Sequence, residues 1–248
     1  MNNLLKIIIL IGFTKISFAQ NTAGKIVFER KTDWVKIRSK ASYLSQEQKD
    51  RMAQTSKNRT DYKQKMVLSF NANLSYYTYE SKEEQSEDGM YSWENDQLII
   101  TRDFEKEKIF EVHETLGKTY IVEDSLKFFK WKILNEIKEV NNYVCMKAST
   151  FEPVKKQNIV AWFTTDIPVS AGPERFGGLP GMILEINIDD DAIVYTPKTI
   201  TLTPTQQIPL LPKKLKGKKV KLEILNKEME KYIKQQETMH EFPWSIRF

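Results

Sequence analysis

The chain has 248 residues, 40% of them hydrophobic and 11% aromatic. That composition suits one domain with a buried core and excludes a disordered chain. Its 38 basic and 33 acidic residues leave a formal charge of +5, too small an excess to argue for nucleic-acid binding, and its single cysteine, Cys145, excludes an internal disulfide.

The first residues read as a secretory signal. Lys6 supplies positive charge, Ile7 to Phe13 form a short apolar run, and Ser17 and Ala19 place small residues where a signal peptidase reads, with cleavage after Ala19. The run is far shorter than the ~20 residues that span a bilayer, and Lys15 interrupts its continuation, so no membrane anchor is expected. The expected organisation is a signal over 1–19, a β domain over 20–203, and a Pro/Lys-rich linker with a helix and an aromatic tail over 204–248.

The β domain opens with a strand in Gly24 to Val35. Ser45 to Gln48 spell a capping box, which starts a mostly solvated helix reaching to about Thr60. Met66 to Glu80 alternate so regularly that one long strand is predicted, with Met66, Leu68, Phe70, Ala72, Leu74 and Tyr76 on its buried face. The acidic run Glu80 to Asp88 reads as a solvated connection; a cation site from Glu83, Glu84, Glu87 and Asp88 is the lesser alternative. Short strands follow at Gln97–Thr101, Lys108–His113 and Lys118–Glu123, then at Tyr143–Phe151, Ile159–Thr165, Met182–Ile188 and Ala192–Leu202, with turns at Asn141-Asn142 and Asp189-Asp190-Asp191. Cys145 reads as a small buried hydrophobe.

Beyond Pro204, six lysines crowd into Lys213 to Lys221 and read as a solvated linker. Leu222, Leu225, Met229, Tyr232 and Ile233 sit at helical spacing, so an amphipathic helix is predicted over about Val220 to Met239, with its stripe facing the core. Phe242, Trp244, Ile246 and Phe248 alternate as a final strand or ribbon would.

Local motifs give no chemistry. The two histidines, His113 and His240, stand in no metal-ligand spacing, and no nucleophile elbow, zinc-protease or P-loop pattern occurs. Gly177-Gly178 precede a strand, whereas phosphate cradles feed a helix N-terminus. No enzyme activity, cofactor or metal is expected.

The densest segment is Asp166 to Gly181. Pro168, Gly172-Pro173, Gly177-Gly178 and Pro180-Gly181 prevent a strand from running through it. Pro180-Gly181 fit the centre of a type II turn. Two readings of the loop stand side by side: a plug that caps the sheet with Phe176 and Leu179, or a ligand or partner contact built from Phe176, Gly177, Gly178, Leu179, Pro180 and Gly181.

The run F-G-G-L-P-G-M-I-L-E-I resembles the signature of the GLPGLI family of exported Bacteroidetes-type proteins. Trp131-Lys132-Ile133, Asn142 to Ala148, Ala161 to Thr164, Ile167-Pro168 and Gly172-Pro173 resemble its other marked positions, and Met182-Ile183 depart mildly from its usual Leu-Ile end. The resemblance is strong over Trp131 to Ile186 and looser over Gly24 to Glu80. It carries no established activity; it implies an envelope role, because family members often lie beside genes for TonB-dependent outer-membrane receptors.

The expected fold is therefore mainly β. It is a large curved antiparallel sheet, a lipoprotein-carrier-like half-barrel by analogy, with one helix in the N-terminal half and one amphipathic helix near the C-terminus. The expected function is a non-enzymatic binding module for an apolar or lipidated ligand in the periplasm or cell envelope. The alternative is an accessory protein docking to an outer-membrane TonB-dependent receptor system.

Overall fold

A computed structural model describes residues 22–55, 62–80 and 97–248. The secretory segment, the end of the first helix at Thr60 and the acidic run with Glu83, Glu84, Glu87 and Asp88 lie outside the described residues.

The elements run β1 (Ala23–Thr32), α1 (Trp34–Ser39), α2 (Gln46–Thr55), β2 (Tyr62–Phe70), β3 (Leu74–Tyr79), β4 (Leu98–Asp103), β5 (Lys108–Thr115), β6 (Lys118–Ser125), β7 (Lys132–Val140), β8 (Tyr143–Glu152), β9 (Gln157–Thr164), β10 (Met182–Ile188), β11 (Ile193–Thr203), β12 (Lys218–Val220) and α3 (Leu222–Thr238). The chain is mainly β, as its alternating segments predict. Among the described residues, twelve strands join one open sheet in the order β12-β6-β5-β4-β3-β2-β1-β11-β10-β9-β8-β7. β1 sits at its centre. One antiparallel meander leads away through β2 to β6, and the other through β11 to β7.

Five sequence expectations are corrected. The single strand over Met66 to Glu80 is two, because Asn71 folds the chain back. Its side-chain oxygen accepts from the Asn73 and Leu74 amides at 2.9 and 2.8 Å, an Asx turn that competes with extension. The buried set therefore changes phase, from Met66, Leu68 and Phe70 on β2 to Tyr77 and Tyr79 on β3, while Tyr76 packs on the opposite face. The lysine run is not wholly a linker: Lys218 to Val220 pair in parallel with Tyr120 to Val122 of β6. The aromatic tail forms no strand; Phe242, Ile246 and Phe248 pack individually against α1, α3 and the sheet. The other two, the half-barrel and the turn at Pro180-Gly181, concern the loop described below.

The capping box does form. The Ser45 amide donates to Gln48 Oε1 at 2.8 Å, and Ser45 Oγ accepts from the Gln48 amide at 3.2 Å. At the start of α3, where Lys221 offers no side-chain cap, Asp124 of β6 accepts from the Leu222 amide at 3.1 Å. Leu225, Met229 and Ile233 then lay one stripe of α3 onto Tyr120 and Val122. The main core draws on both meanders: Ile26, Phe28, Leu68, Tyr77 and Ile100 from one side meet Ala148, Ile159, Phe163 and Ile186 from the other. Cys145 is buried in that core.

Candidate functional site

The β9–β10 loop, residues 165–181, enters the core between these two sets of strands. Ile167, Val169, Ala171, Phe176 and Leu179 are all buried, Phe176 being 6% and Leu179 1% exposed. The sheet is open and does not form the half-barrel expected from the sequence, and the loop packs into the core where a ligand would have sat. It is also hydrogen-bonded like a piece of regular structure. The Met182 amide donates to Ile167 O, the Ile183 amide to Ala171 O, and Ser170 Oγ to Leu179 O, at 2.7 to 3.0 Å.

Pro180-Gly181 do not form the type II turn. The Gly181 amide closes onto Leu179 O at 2.7 Å, a tighter three-residue turn, and Met182 is already bonded to Ile167. Gly181 has φ 152°, and a Cβ there would lie 2.0 Å from Thr164 O. Gly178 has φ 85°, and a Cβ there would lie 2.5 Å from the Phe128 ring. The motif's glycines therefore answer to backbone geometry and close approach. Phe128 belongs to a strap, residues 126–131, that crosses the loop. Trp131 Nε1 donates to Gly177 O at 2.8 Å, and Phe129 stacks on Phe176 with centroids 5.5 Å apart.

Of the six residues singled out for contact, Phe176 and Leu179 give their side chains to the core, and Gly177 and Gly181 are buried. Only Gly178 and Pro180 reach the surface. The sequence signature marks a plug and its strap.

The same loop carries charge inward. Glu174, at φ 46°, accepts from Tyr195 Oη at 2.5 Å and from Arg247 Nε at 3.1 Å, and lies 3.8 Å from Arg30 Nε. Arg30 also donates to Tyr195 Oη at 2.8 Å, to Thr32 Oγ1 at 2.5 Å and to the carbonyl of Phe248. Arg247 donates to Tyr79 Oη at 2.7 Å. Next to them Arg175 grips Glu111 of β5 through two bonds, Nε to Oε1 at 2.8 Å and Nη2 to Oε2 at 2.5 Å. Arg102 of β4, fully buried, donates to Ser75 Oγ and to Phe176 O.

Glu111, Glu174, Arg175 and Arg247 line a cavity of about 70 Å³ together with His113 and Lys155, among others. Burial and electrostatics set their protonation. Burial alone would raise the Glu174 carboxyl, but Arg247, Arg30, Lys155 and the Tyr195 hydroxyl hold it down at about 2. Burial, with the nearby Arg175, Lys155 and Arg247, lowers His113 to about 3, so its ring is neutral. Burial lowers the Lys155 ammonium to about 8 despite Glu174 and Glu152, and lowers Arg102 to about 10. A second, largely apolar pocket of about 230 Å³ adjoins the cavity. Ile109, Phe128, Phe129, Pro153, Val154 and Leu222 shape it, and it shares Phe129, Glu152 and Arg175 with the first.

Sequence reading missed this cluster, although a signal was present. Arg30 continues the buried phase of Ile26 and Phe28, Arg102 that of Leu98 and Ile100, and Glu111 that of Ile109. A charge in step with an apolar face must be buried and paired, or must serve a ligand. Among the described residues no group of three or more His, Cys, Asp or Glu side chains is placed to hold a metal ion, and no helix is long and apolar enough to cross a membrane.

Comparison with known proteins agrees with the fold. Residues 152–185, from the β8–β9 turn through the plug into β10, match a family model described as a protein of unknown function, Porph_ging. No curated protein matches the chain by sequence. Among solved structures it is similar to PNGF-II in a P21 crystal form, at TM-score 0.54 and 12% identity over 84% of this chain, and to PNGF-II in a C2 form, at TM-score 0.53 and 12% identity over the same share. The chain spans about a third of those proteins' length (33% and 32%), and at this identity the likeness is one of fold.

Proposed function

We propose that this chain is a GLPGLI-type protein of the cell envelope, exported by a cleaved signal, and that it works as a non-enzymatic binding module for an apolar or lipidated ligand. The F-G-G-L-P-G-M-I-L-E-I run and the family match over residues 152–185 support the family reading. The observation that carries the binding reading is the pocket of about 230 Å³ beside the strap, walled by Phe128, Phe129, Pro153, Val154 and Leu222. Its apolar walls and modest size suit an acyl segment or a single apolar side chain. The contact role moves from Phe176 and Leu179, which are buried, to the strap that covers them. A fluorescent fatty-acyl probe titrated into the protein tests this. Saturable binding, lost in Phe128→Asp with the fold retained by circular dichroism, is expected; absence of saturation in the unaltered protein overturns the reading.

The alternative, docking to an outer-membrane TonB-dependent receptor system, draws on a different feature. β7 is an edge strand, and its hairpin with β8 exposes Ile133, Ile137, Val144 and Phe151. An exposed apolar edge is a template for strand addition by a partner. Co-purification of a receptor component from envelope extracts, abolished by Ile137→Lys, supports this alternative; co-purification unchanged by that substitution removes the hairpin from it.

A further inference from the structure

We propose that the interior cavity beside Glu174 is a binding site for a small oxyanion, held by Lys155 and Arg247. This site adjoins the apolar pocket and shares Phe129, Glu152 and Arg175 with it, but the argument for it does not depend on a ligand binding there.

The charge inventory supplies the first argument. Five cations, Arg30, Arg102, Lys155, Arg175 and Arg247, stand in or directly behind the cavity wall, against three carboxylates, Glu111, Glu152 and Glu174. A free carboxylate on Phe248, whose carbonyl accepts from Arg30, still leaves one positive charge over. The charge left over is that of Lys155, a partly buried cation on the cavity wall with no carboxylate of its own, which an anion in the cavity would match.

The second argument is the distribution of hydrogen bonds. Each carboxylate is already engaged. Glu111 is committed to Arg175 through both oxygens. The two Glu152 oxygens accept from the Val154 and Lys155 amides at 3.1 and 2.6 Å. Glu174 is shared among Tyr195, Arg247 and Arg30. Two donors on the cavity wall are left over. Arg247, 6% exposed, has a buried Nη2 with no protein partner. The Lys155 ammonium makes no hydrogen bond or ion pair among the described residues. His113 Nε2 is likewise buried without a partner and, on a neutral ring, can donate.

Size supplies the third argument. One water takes roughly 10–15 Å³ of such volume. The cavity of about 70 Å³ therefore accommodates about five heavy atoms, the size of phosphate, sulfate or acetate. Its remaining walls include Ile100, Phe129, Ile159 and Ile188, a low-dielectric surround that strengthens each contact to an anion.

The test is thermal unfolding of the full chain in chloride buffer at constant ionic strength, with sodium phosphate, sulfate or acetate replacing chloride. A saturable rise in Tm with at least one oxyanion is expected, and which one separates a tetrahedral from a planar ligand. Arg247 variants also strip Glu174 of a partner and are unsuited to the test, so Lys155→Gln is the informative change; among the described residues its ammonium makes no hydrogen bond. It is expected to fold and to weaken the apparent affinity about tenfold, the worth of one charge-assisted bond. Lys156→Gln, which alters an exposed lysine paired with Glu237, is expected to leave the affinity unchanged. Absence of a saturable response to all three ions, or equal responses from Lys155→Gln and the unaltered protein, overturns the proposal.

Discussion

Arg175 and Glu111 lie 64 residues apart in sequence and join the β9–β10 loop to β5 through two parallel charge-assisted hydrogen bonds, with Glu111 only 1% exposed. This pair ties the plug, which the β9 and β10 meander contributes, to the opposite meander. Arg175→Ala leaves a buried carboxylate unpaired and is expected to destabilise the fold by about 3–5 kcal/mol. Replacing both partners, as in Arg175→Met with Glu111→Leu, is expected to recover much of that loss, because an apolar pair carries no desolvation penalty. Urea unfolding of the single and double variants measures both values.

Stability is expected to fall on the acid side in two overlapping windows. His113 is held near 3 in the fold against an ordinary 6.5, so the unfolded chain binds the extra proton as pH drops below 6.5, and folding loses free energy down to about 3. Glu174 is held near 2 against 4.5, so its contribution is complete above 4.5 and is lost as pH falls toward 2. Glu174→Gln is expected to flatten the profile between about 4.5 and 2, while lowering stability at neutral pH. A profile of equal slope in both proteins would contradict the assigned network.

On the alkaline side stability again rises with pH at first. Lys155 is lowered to about 8 in the fold against 10.5 unfolded, so stability is expected to rise from pH 8 toward 10 as the partly buried ammonium loses its proton. Above 10, Tyr77 and Tyr195, whose folded values burial raises, oppose that gain because the unfolded chain ionises first. Lys155→Met is expected to remove the rise between 8 and 10, measured by urea midpoints across that range.

Gly181→Ala is expected to be among the most damaging single substitutions outside the strands. The new Cβ would meet a backbone carbonyl 2.0 Å away, at a φ that side chains disfavour. A loss of about 3 kcal/mol or more is expected. Gly117→Ala, also at positive φ but in open space, serves as the comparison and is expected to lose about 1 kcal/mol.

Cys145 is fully buried, and burial pushes its thiol up to about 11. Labelling by a thiol-disulfide reagent at pH 8 is therefore expected to proceed only through opening of the fold. Its rate should track stability across the variants above, rising most in Arg175→Ala and Gly181→Ala.

Much of the sheet was legible because period-two alternation survives wherever one face is buried: Met66, Leu68 and Phe70, or Ile186 and Ile188, need no tertiary information to be read. The plug's role was open. Prolines and glycines exclude a strand, but whether Phe176 and Leu179 face solvent depends on the strap residues Phe128, Phe129 and Trp131, some fifty positions upstream. The polar cluster was hidden for a related reason. Arg30, Glu111, Glu174 and Arg247 are distant in sequence and meet only after both meanders assemble, so no local motif announces them. The strand β12 escaped notice because Lys218 and Lys219 keep their side chains exposed while their backbone pairs with β6.

The central position of β1 bears on the order in which the molecule is made. Ala23 pairs with Thr203, so the first strand to leave the ribosome has one of its two neighbours at once in β2 and must wait for almost the whole remaining chain to receive β11. Until then β1 presents a raw edge, and Arg30 lacks both Tyr195 and Glu174. The second neighbour of β1 and the partners of Arg30 thus arrive together, late in the chain. Such long-range closure slows folding, because the segment between Ala23 and Thr203 must be brought round before β1 gains its second neighbour.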